Sequence, residues 1–369
     1  MAMIPPEHGP YLANIHVKEE TQLVVFDEFP ALSGFVNLPC KLSYLRIDEY
    51  SNGTFAKVAK KDSISKFFKR GGSSRFTENH IVGYCNGVFL SSQAHGHGTT
   101  LVVIYPRKEA CYELPSTEYW SHDLGVSYVH GLDFDDATEC YDGPLPKTWP
   151  RASKVFYSCG LGLDDSTMTY KIVCIMRKER FDEATNEFMV EFCTLVHVLG
   201  TSSWREIPNP PCYRTMTNEG VFVHGCLHWY TLCPHKIVRF DVKKETFKLI
   251  DPPKYMKKNC ANNQLVDLHG ELGLVYHADN VSMEVWLLKK NEWMLHCKLD
   301  RRQPIPDDCQ VMIKVLGCGN KDGEIFMTAD PAMGNKMLLV YNSKKDILKQ
   351  VKVIGGQDGC KSEIRLTCV

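Results

Sequence analysis

The stretch GVFVHGCLHWYTL (220–232), with KIVRFDVKKETFKLIDPP (236–253) behind it, decides the fold. It divides into four strand-like pieces, A to D: GVFVH, CLHWYTL, KIVRFDV and TFKLID. Piece C alternates, Ile237, Arg239 and Asp241 standing opposite to Val238, Phe240 and Val242, which is the period of a strand. His224-Gly225 between A and B tolerates positive φ, as does Asp322-Gly323 further on. Lys243-Lys244-Glu245 between C and D makes a solvated hairpin. Two more copies follow: LVDLHGELGLVYHA with MEVWLLKKNEWMLHCKL (265–299), and GEIFMTAD with KMLLVYNSKKDILKQVKVI (323–354). Gly225, Gly270 and Gly323 correspond between copies, as do Phe247, Trp293 and Ile347. A spacing of roughly 40–55 residues is the length of a propeller blade.

Working outward, two earlier copies read HIVGYCNG, VFLSS, TLVVIYP, CYELP (80–115) and KVFYSCG, YKIVCIM, EFCTLVHVL, SWREIP (154–208). Each closes on a proline, which halts strand pairing. Residues 80–354 therefore hold five blades. Within 1–79, ETQLVVFDEF and KLSYLRIDEY supply strands for a sixth. In 355–369, EIRLTCV is expected to pair with them, because an unclosed propeller exposes a strand edge. The segment KVAKKDSISKFFKRGGSSRF (57–76) has helical spacing before a Gly/Ser breaker and predicts a loop carrying a short helix. The expected fold class is all-β: a β-propeller of kelch-like four-stranded blades, six in number.

Composition narrows the partners. The 369 residues carry 43 basic against 44 acidic side chains, so no global field draws in nucleic acid or an anionic membrane. Hydrophobic and charged fractions of 44% and 24% are those of a folded globular chain. No apolar run reaches the roughly 18–20 residues that span a bilayer, and MAMIPPEHGPYLANIH lacks the basic start and apolar core of a secretory signal. A cytoplasmic or nuclear protein is expected. The 16 cysteines fall mostly inside strand patterns (Cys174, Cys193, Cys226, Cys297), where a reduced thiol serves as a small hydrophobe.

Loop lengths point to a working surface. In a four-stranded meander the A–B and C–D turns emerge at one end, the B–C and D–A connections at the other. The former are short here. The long connections are read as 93–99, 116–152, 177–189, 209–219, 254–263 and 300–311, mostly B–C or D–A. Long irregular connections in compact domains carry function. The candidate partner-binding residues are aromatic: Tyr119, Trp120 and Trp149 in the longest connection, Tyr213 and Tyr255 in others. Trp120 and Trp149 have a second reading, in which they pin their own loop to the blades. Trp204, Trp229, Trp286 and Trp293 sit in repeat strands and are assigned to inter-blade packing.

No catalytic or cofactor signature appears. His224, Cys226, His228, Cys233 and His235 offer zinc-ligand chemistry but alternate along strands instead of bracketing turns, which favours core and loop roles. His95-Gly96-His97-Gly98 reads as a polar loop. The run Lys57, Lys60, Lys61, Lys66, Lys69, Arg70 lacks the interleaved aromatics of a nucleic-acid platform. Gly160-Leu161-Gly162 and Gly317-Cys318-Gly319 do not complete a phosphate-cradling motif. Asp164-Asp165 and Asp133 with Asp135 and Asp136 read as acidic turns; cation binding or acid–base work is the competing reading. Enzymatic or sugar-binding use of a central channel would call for acids or histidines on several A strands; His80 and His224 are the chief ones.

The ordered set GYCNGVFLSS (83–92), VVIYPRKEACYELP (102–115), GLGLDDSTMTYKIV (160–173), LVHVLGTSSWREIP (195–208), GVFVHGCLHWYTL (220–232), IVRFDVKKETFKLIDPP (237–253) and MEVWLLKKNEWMLHCKL (283–299) resembles the F-box-associated domain of plant F-box proteins. The resemblance implies a kelch-like propeller, no enzyme activity and no cofactor or metal. It also implies a role in recognising a protein substrate for a ubiquitin-ligase adaptor, or that of an inert remnant of the family. Members normally begin with an F-box, a leucine-rich helical module opening near LP-x-E-L, which docks the linker subunit of a cullin-type ligase. LPCKLSYLRI (38–47) is strand-like instead, and no other segment matches. A propeller apparently without its F-box is the expectation, with the linker as partner only if that module lies upstream.

Overall fold

The computed structural model describes residues 21–28, 41–50, 53–63, 78–95, 98–105, 108, 110–115, 127–130, 154–182, 185, 187–208, 211, 213, 216–217, 219–232, 235–254, 256, 263–277, 282–300, 311–318, 323–331, 337–354 and 361–368. Nearly everything among them is strand. In chain order these are β1 (Thr21–Glu28), β2 (Lys41–Tyr50), β3 (Gly53–Ser63), β4 (Glu78–Cys85), β5 (Val88–His95), β6 (Gly98–Tyr105), β7 (Ala110–Glu113) and β8 (Ser127–His130). Next come β9 (Lys154–Asp164), β10 (Thr169–Asp182), β11 (Glu187–Val198), β12 (Arg205–Ile207), β13 (Gly220–Val223), β14 (Cys226–Leu232), β15 (His235–Asp241) and β16 (Thr246–Ile250). The remainder are β17 (Gln264–Leu268), β18 (Glu271–His277), β19 (Ser282–Lys289), β20 (Glu292–Asp300), β21 (Val311–Cys318), β22 (Glu324–Pro331), β23 (Met337–Asn342), β24 (Ile347–Ile354) and β25 (Lys361–Cys368).

The repeat pieces fold as antiparallel meanders: β4–β7, β9–β12, β13–β16, β17–β20 and β21–β24. The stretch read as the deciding one gives β13–β16 within a residue or two of the A–D division. The turn glycines do what their spacing requires. Gly87, Gly225, Gly270 and Gly323 have φ of 77°, 70°, 78° and 84°, the left-handed region where a missing Cβ removes the steric cost. By contact density the chain divides into two units, one holding β4–β16, the other β1–β3 and β17–β25.

In the first unit the strand period sets up two packed faces. Tyr170, Ile172, Cys174 and Met176 of β10 face a layer made with Val82, Leu90, Leu101 and Val103 of the preceding meander. The alternate residues Val173 and Ile175 face Leu227, Trp229, Val238 and Phe240 of the following one. A meander buried on both faces loses simple hydrophobic alternation: Cys226–Thr231 of β14 are buried without a break, whereas β16 is largely exposed. The A strands lie close together. β4 and β13 pair in parallel at Gly83↔Gly220, and Cys159 of β9 bridges Glu219 in parallel. A Cβ on Gly220 would stand 2.7 Å from the Trp229 ring, so glycine is what lets the indole lie there. That indole then donates from Nε1 to the Cys159 carbonyl at 3.2 Å.

In the second unit, Val266, Val275, Val285 and Leu299 of one meander pack on Val315, Ile325, Met327 and Leu339 of the next. β25 pairs antiparallel with β1 (Leu23↔Leu366, Val25↔Ile364), giving a sixth four-stranded group, β25-β1-β2-β3, drawn from both ends of the described chain. β3 joins β24 in parallel at Ala56↔Val353.

Several expectations are corrected. Residues 57–63 are the second half of β3, paired with β2, not a loop; cross-strand hydrogen bonding overrides the local helical spacing, and 64–76 lie outside the described residues. Connection 93–99 is a tight hairpin, closed at His95↔Gly98, and 177–189 is mostly strand, closed at Asp182↔Glu187. Within 116–152, Ser127–His130 is strand β8, running parallel to β9. The correspondence of Ile347 with Phe247 is off by one. Asp241↔Thr246 and Asn342↔Ile347 are the equivalent first pairs, so Leu348 matches Phe247. Leu348 packs on the core while Ile347 is 43% exposed, the face swap that a one-residue slip produces.

Candidate functional site

The two ends of the meanders differ. At the A–B/C–D end the turns are short and tied down. Asp164, buried in the β9–β10 turn, accepts from Ser166 N at 3.1 Å and Ser166 Oγ at 2.6 Å. Its other oxygen meets Lys171 Nζ at 2.9 Å. Lys171, itself buried, also donates to Glu245 Oε1 and to the Val242 carbonyl, each at 2.9 Å, so β10 is fastened to the β15–β16 turn. Arg205 pairs with the same Glu245.

Burial alone would raise the Asp164 pKa, but bonds from Ser166 and Lys171 outweigh it and bring it from 3.8 to about 2. Burial likewise works against the charge of Lys171, and hydrogen bonds to Glu245 and Asp164 prevail, raising its pKa. Glu245 is lowered in the same way: burial opposes, and Arg205 and Lys171 win. Asp164, Lys171 and Glu245 all stay charged at neutral pH. Asp164 is therefore an ion-pair partner of Lys171, and Asp165 is exposed beside it.

In the first unit the D–A connection 208–219 leaves from the opposite end of its meander. The described residues of 208–219 are anchored. Met216 is buried and bridges Thr231; Thr217 N donates to the Tyr230 carbonyl at 2.9 Å, and Tyr230 N donates to Thr217 Oγ1 at 3.2 Å. At that end too, the Tyr230 hydroxyl and His235 Nδ1 share a hydrogen bond of 3.1 Å. In the second unit, the start of β17 is held by Gln264, whose amide donates to the Val315 carbonyl at 2.7 Å and accepts from Val315 N at 3.0 Å.

One feature at this end escaped the sequence reading. β10 and β11 run 14 and 12 residues, against 7 each for β14 and β15. The excess forms a ribbon from Arg177↔Phe192 to Asp182↔Glu187, six pairs long, or roughly 20 Å. β8 and the start of β9 flank one side. β12 pairs with β11 only over Thr194–Val196, so among the described residues no strand covers the outer side of Glu187–Phe192. Such an edge presents a row of backbone donors and acceptors to an incoming strand. The signal available was KERFD and NEFMVEF on either side of a short turn.

Of the aromatic candidates, Tyr213 is half-buried and packs against the core layer containing Trp229. Tyr119, Trp120, Trp149 and Tyr255 lie outside the described residues. Trp204 donates from Nε1 to the Pro115 carbonyl of the preceding meander at 2.7 Å, and Trp229 reaches β9, as inter-blade packing demands. The half-buried Trp286 instead bonds Glu284 of its own strand.

The zinc-type residues disperse. His224 is exposed in its turn, Cys226 accepts from Arg239 Nε at 3.1 Å, and His228, buried, donates from Nδ1 to the Val221 carbonyl at 3.3 Å. Cys233, Asp133, Asp135, Asp136, Gly96 and His97 fall outside the described residues, and His80 lies in β4. Among the described residues no group of three or more His, Cys, Asp or Glu side chains is placed to hold a metal ion.

The F-box associated beta propeller domain family matches residues 143–368, more than half of the chain. The chain belongs to this family. Its fold is a β-propeller of four-stranded blades, and the meanders above are the blades. The F-box-associated propeller is similar to two proteins of Arabidopsis thaliana. It is 25% identical over 196 residues to one named "Putative F-box protein", covering 51% of this chain and 45% of that protein. It is 23% identical over 127 residues to an F-box/kelch-repeat protein, 33% of each being covered. The chain thus spans less than half the length of these relatives. Among solved structures it is similar to TolB from Acinetobacter baumannii, with TM-score 0.48 and 8% identity over 94% of this chain and 66% of that one. It is also similar to the β-propeller domain of the Trilobed protease from Pyrococcus furiosus, with TM-score 0.37 and 9% identity over 75% and 86%.

Proposed function

We propose that this F-box-associated propeller is a non-catalytic recognition module, six-bladed, cytoplasmic or nuclear, that holds a protein ligand at the D–A/B–C end of its blades. What supports the reading is the asymmetry of those ends. One is closed by short turns and a buried ion-pair network; the other carries the long connections and a ribbon with an uncovered edge. Backbone pairing to that edge supplies affinity, and the aromatic residues Tyr119, Trp120 and Trp149 supply anchors. In this reading, with the family context in support, the ligand is a target for ubiquitination and a ligase linker docks only where an F-box is present.

The test compares proteins retained from plant extract by the wild-type chain with those retained by Trp120→Ala, Trp149→Ala and a form in which residues 180–189 are replaced by Asn-Gly. Partners held by the wild type and lost from these forms, with melting temperature unchanged, are expected. An identical set retained by all four chains overturns the reading.

A further inference from the structure

We infer that Cys159 and Cys174 form a cross-strand disulfide site at the root of the β10–β11 ribbon. The two residues are directly opposed in the β9–β10 register, and their Sγ atoms are 2.8 Å apart. A bonded pair sits at about 2.05 Å, so closing the link moves the sulfurs by less than about 1 Å. Both side chains are fully buried, in the layer between the first two meanders of the β4–β16 unit. Burial pushes the Cys174 thiol well up, and the bond to Cys159 pushes it further, which keeps thiolate scarce while the layer is closed. Exchange therefore proceeds when β9 and β10 part, or before they first pair.

The location gives the bond a consequence. Beyond it the β9–β10 pairs run from Ser158↔Ile175 to Lys154↔Glu179, the last three of them joining β9 to the inner half of the ribbon's β10 strand, and the Cys159 carbonyl is the acceptor for Trp229. The bond would close a loop between residues 15 apart in sequence and fix the register of the strand that carries the ribbon.

A small-molecule disulfide such as oxidised glutathione is the oxidant. One cysteine thiolate attacks it and expels a glutathione thiolate, leaving a mixed disulfide. The second cysteine thiolate attacks the protein sulfur of that bond and expels the other glutathione. One S–S bond breaks and one forms, and the two cysteine protons end on the two released thiols.

The test equilibrates the full chain with reduced and oxidised glutathione, maps linked peptides by mass spectrometry without reduction, and records melting. A peptide joining Cys159 to Cys174, lighter by two hydrogens, and a melting point raised by roughly 6–12 °C are expected. Both disappear in Cys159→Ala and Cys174→Ala and persist in Cys85→Ala and Cys193→Ala, the other two thiols of the layer. A Cys174–Cys193 link, or free thiols at 159 and 174 with other cysteines oxidised, overturns the inference. So does a melting shift retained by Cys159→Ala. Mapping on the wild type decides the matter even where a variant does not fold, and it is independent of any ligand bound at the ribbon.

Discussion

Replacing Lys171 with methionine isolates the ion-pair network. Methionine keeps most of the stem volume but removes the ammonium that meets Asp164, Glu245 and the Val242 carbonyl. Glu245 retains Arg205 and is partly solvated, so its loss is minor. Asp164 is stranded: its side chain is 4% exposed and only Ser166 remains to it. Breaking a buried pair from one side costs about 3–5 kcal/mol, chiefly from the abandoned charge. For a unit of this size that lowers the melting temperature by about 6–20 °C. Adding Asp164→Asn removes the stranded charge, and the double variant should regain at least half of the loss. Tryptophan fluorescence follows the transition, since Trp204 and Trp229 lie in the same unit. A single variant within 1 °C of wild type, or a double variant as unstable as the single one, would refute the assignment of the cost to the buried carboxylate.

Three further outcomes are expected. Acid should expose the same carboxylate: a folded pKa of about 2 against 3.8 means its contribution, roughly 2 kcal/mol, is intact above pH 3.8 and drains as pH falls toward 2; Asp164→Asn should flatten that limb of a stability–pH curve. His228 is buried and its pKa is pushed down, by burial first, to about 4, so it folds neutral; stability is full above pH 6.5, falls by roughly 3 kcal/mol as pH drops to 4, and loses that dependence in His228→Asn. Leu348→Ala should cost about 2 kcal/mol in urea unfolding, whereas Ile347→Ala should cost under about 0.5 kcal/mol; the reverse order would restore the register read from sequence.

The blades were legible where chemistry constrains a single position. A left-handed turn demands glycine, and so Gly225, Gly270 and Gly323 marked the A–B turns of three meanders. Composition inside a strand constrains less. Lys57–Ser63 spaces its charges like a helix yet lies in β3, because pairing with β2 decides and local spacing does not. The Ile347 slip could not be seen locally: 242–245 and 343–346 are turns of equal length, and Ile347 and Leu348 are both aliphatic, so only the pairing Tyr341↔Leu348 shows which one matches Phe247. The site was harder still. Lys171 finds Glu245 from 74 positions away, and Cys159 meets Cys174 only once the hairpin register is known. The β10–β11 ribbon was hidden because charged residues in 177–189 resemble a loop until their partners are counted.

The pairing of β25 with β1 has a consequence for how the chain is made. β1 ends at Glu28 and its partner begins at Lys361. At a synthesis rate of about 5–20 residues per second, β1 leaves the ribosome roughly 20–70 s before the strand that covers it exists. For that interval one edge of Thr21–Glu28 stands open, in a run that includes Leu-Val-Val-Phe. The first of the described strands is thus among the last of them to be shielded, and until β25 emerges that edge is open to pairing with other chains.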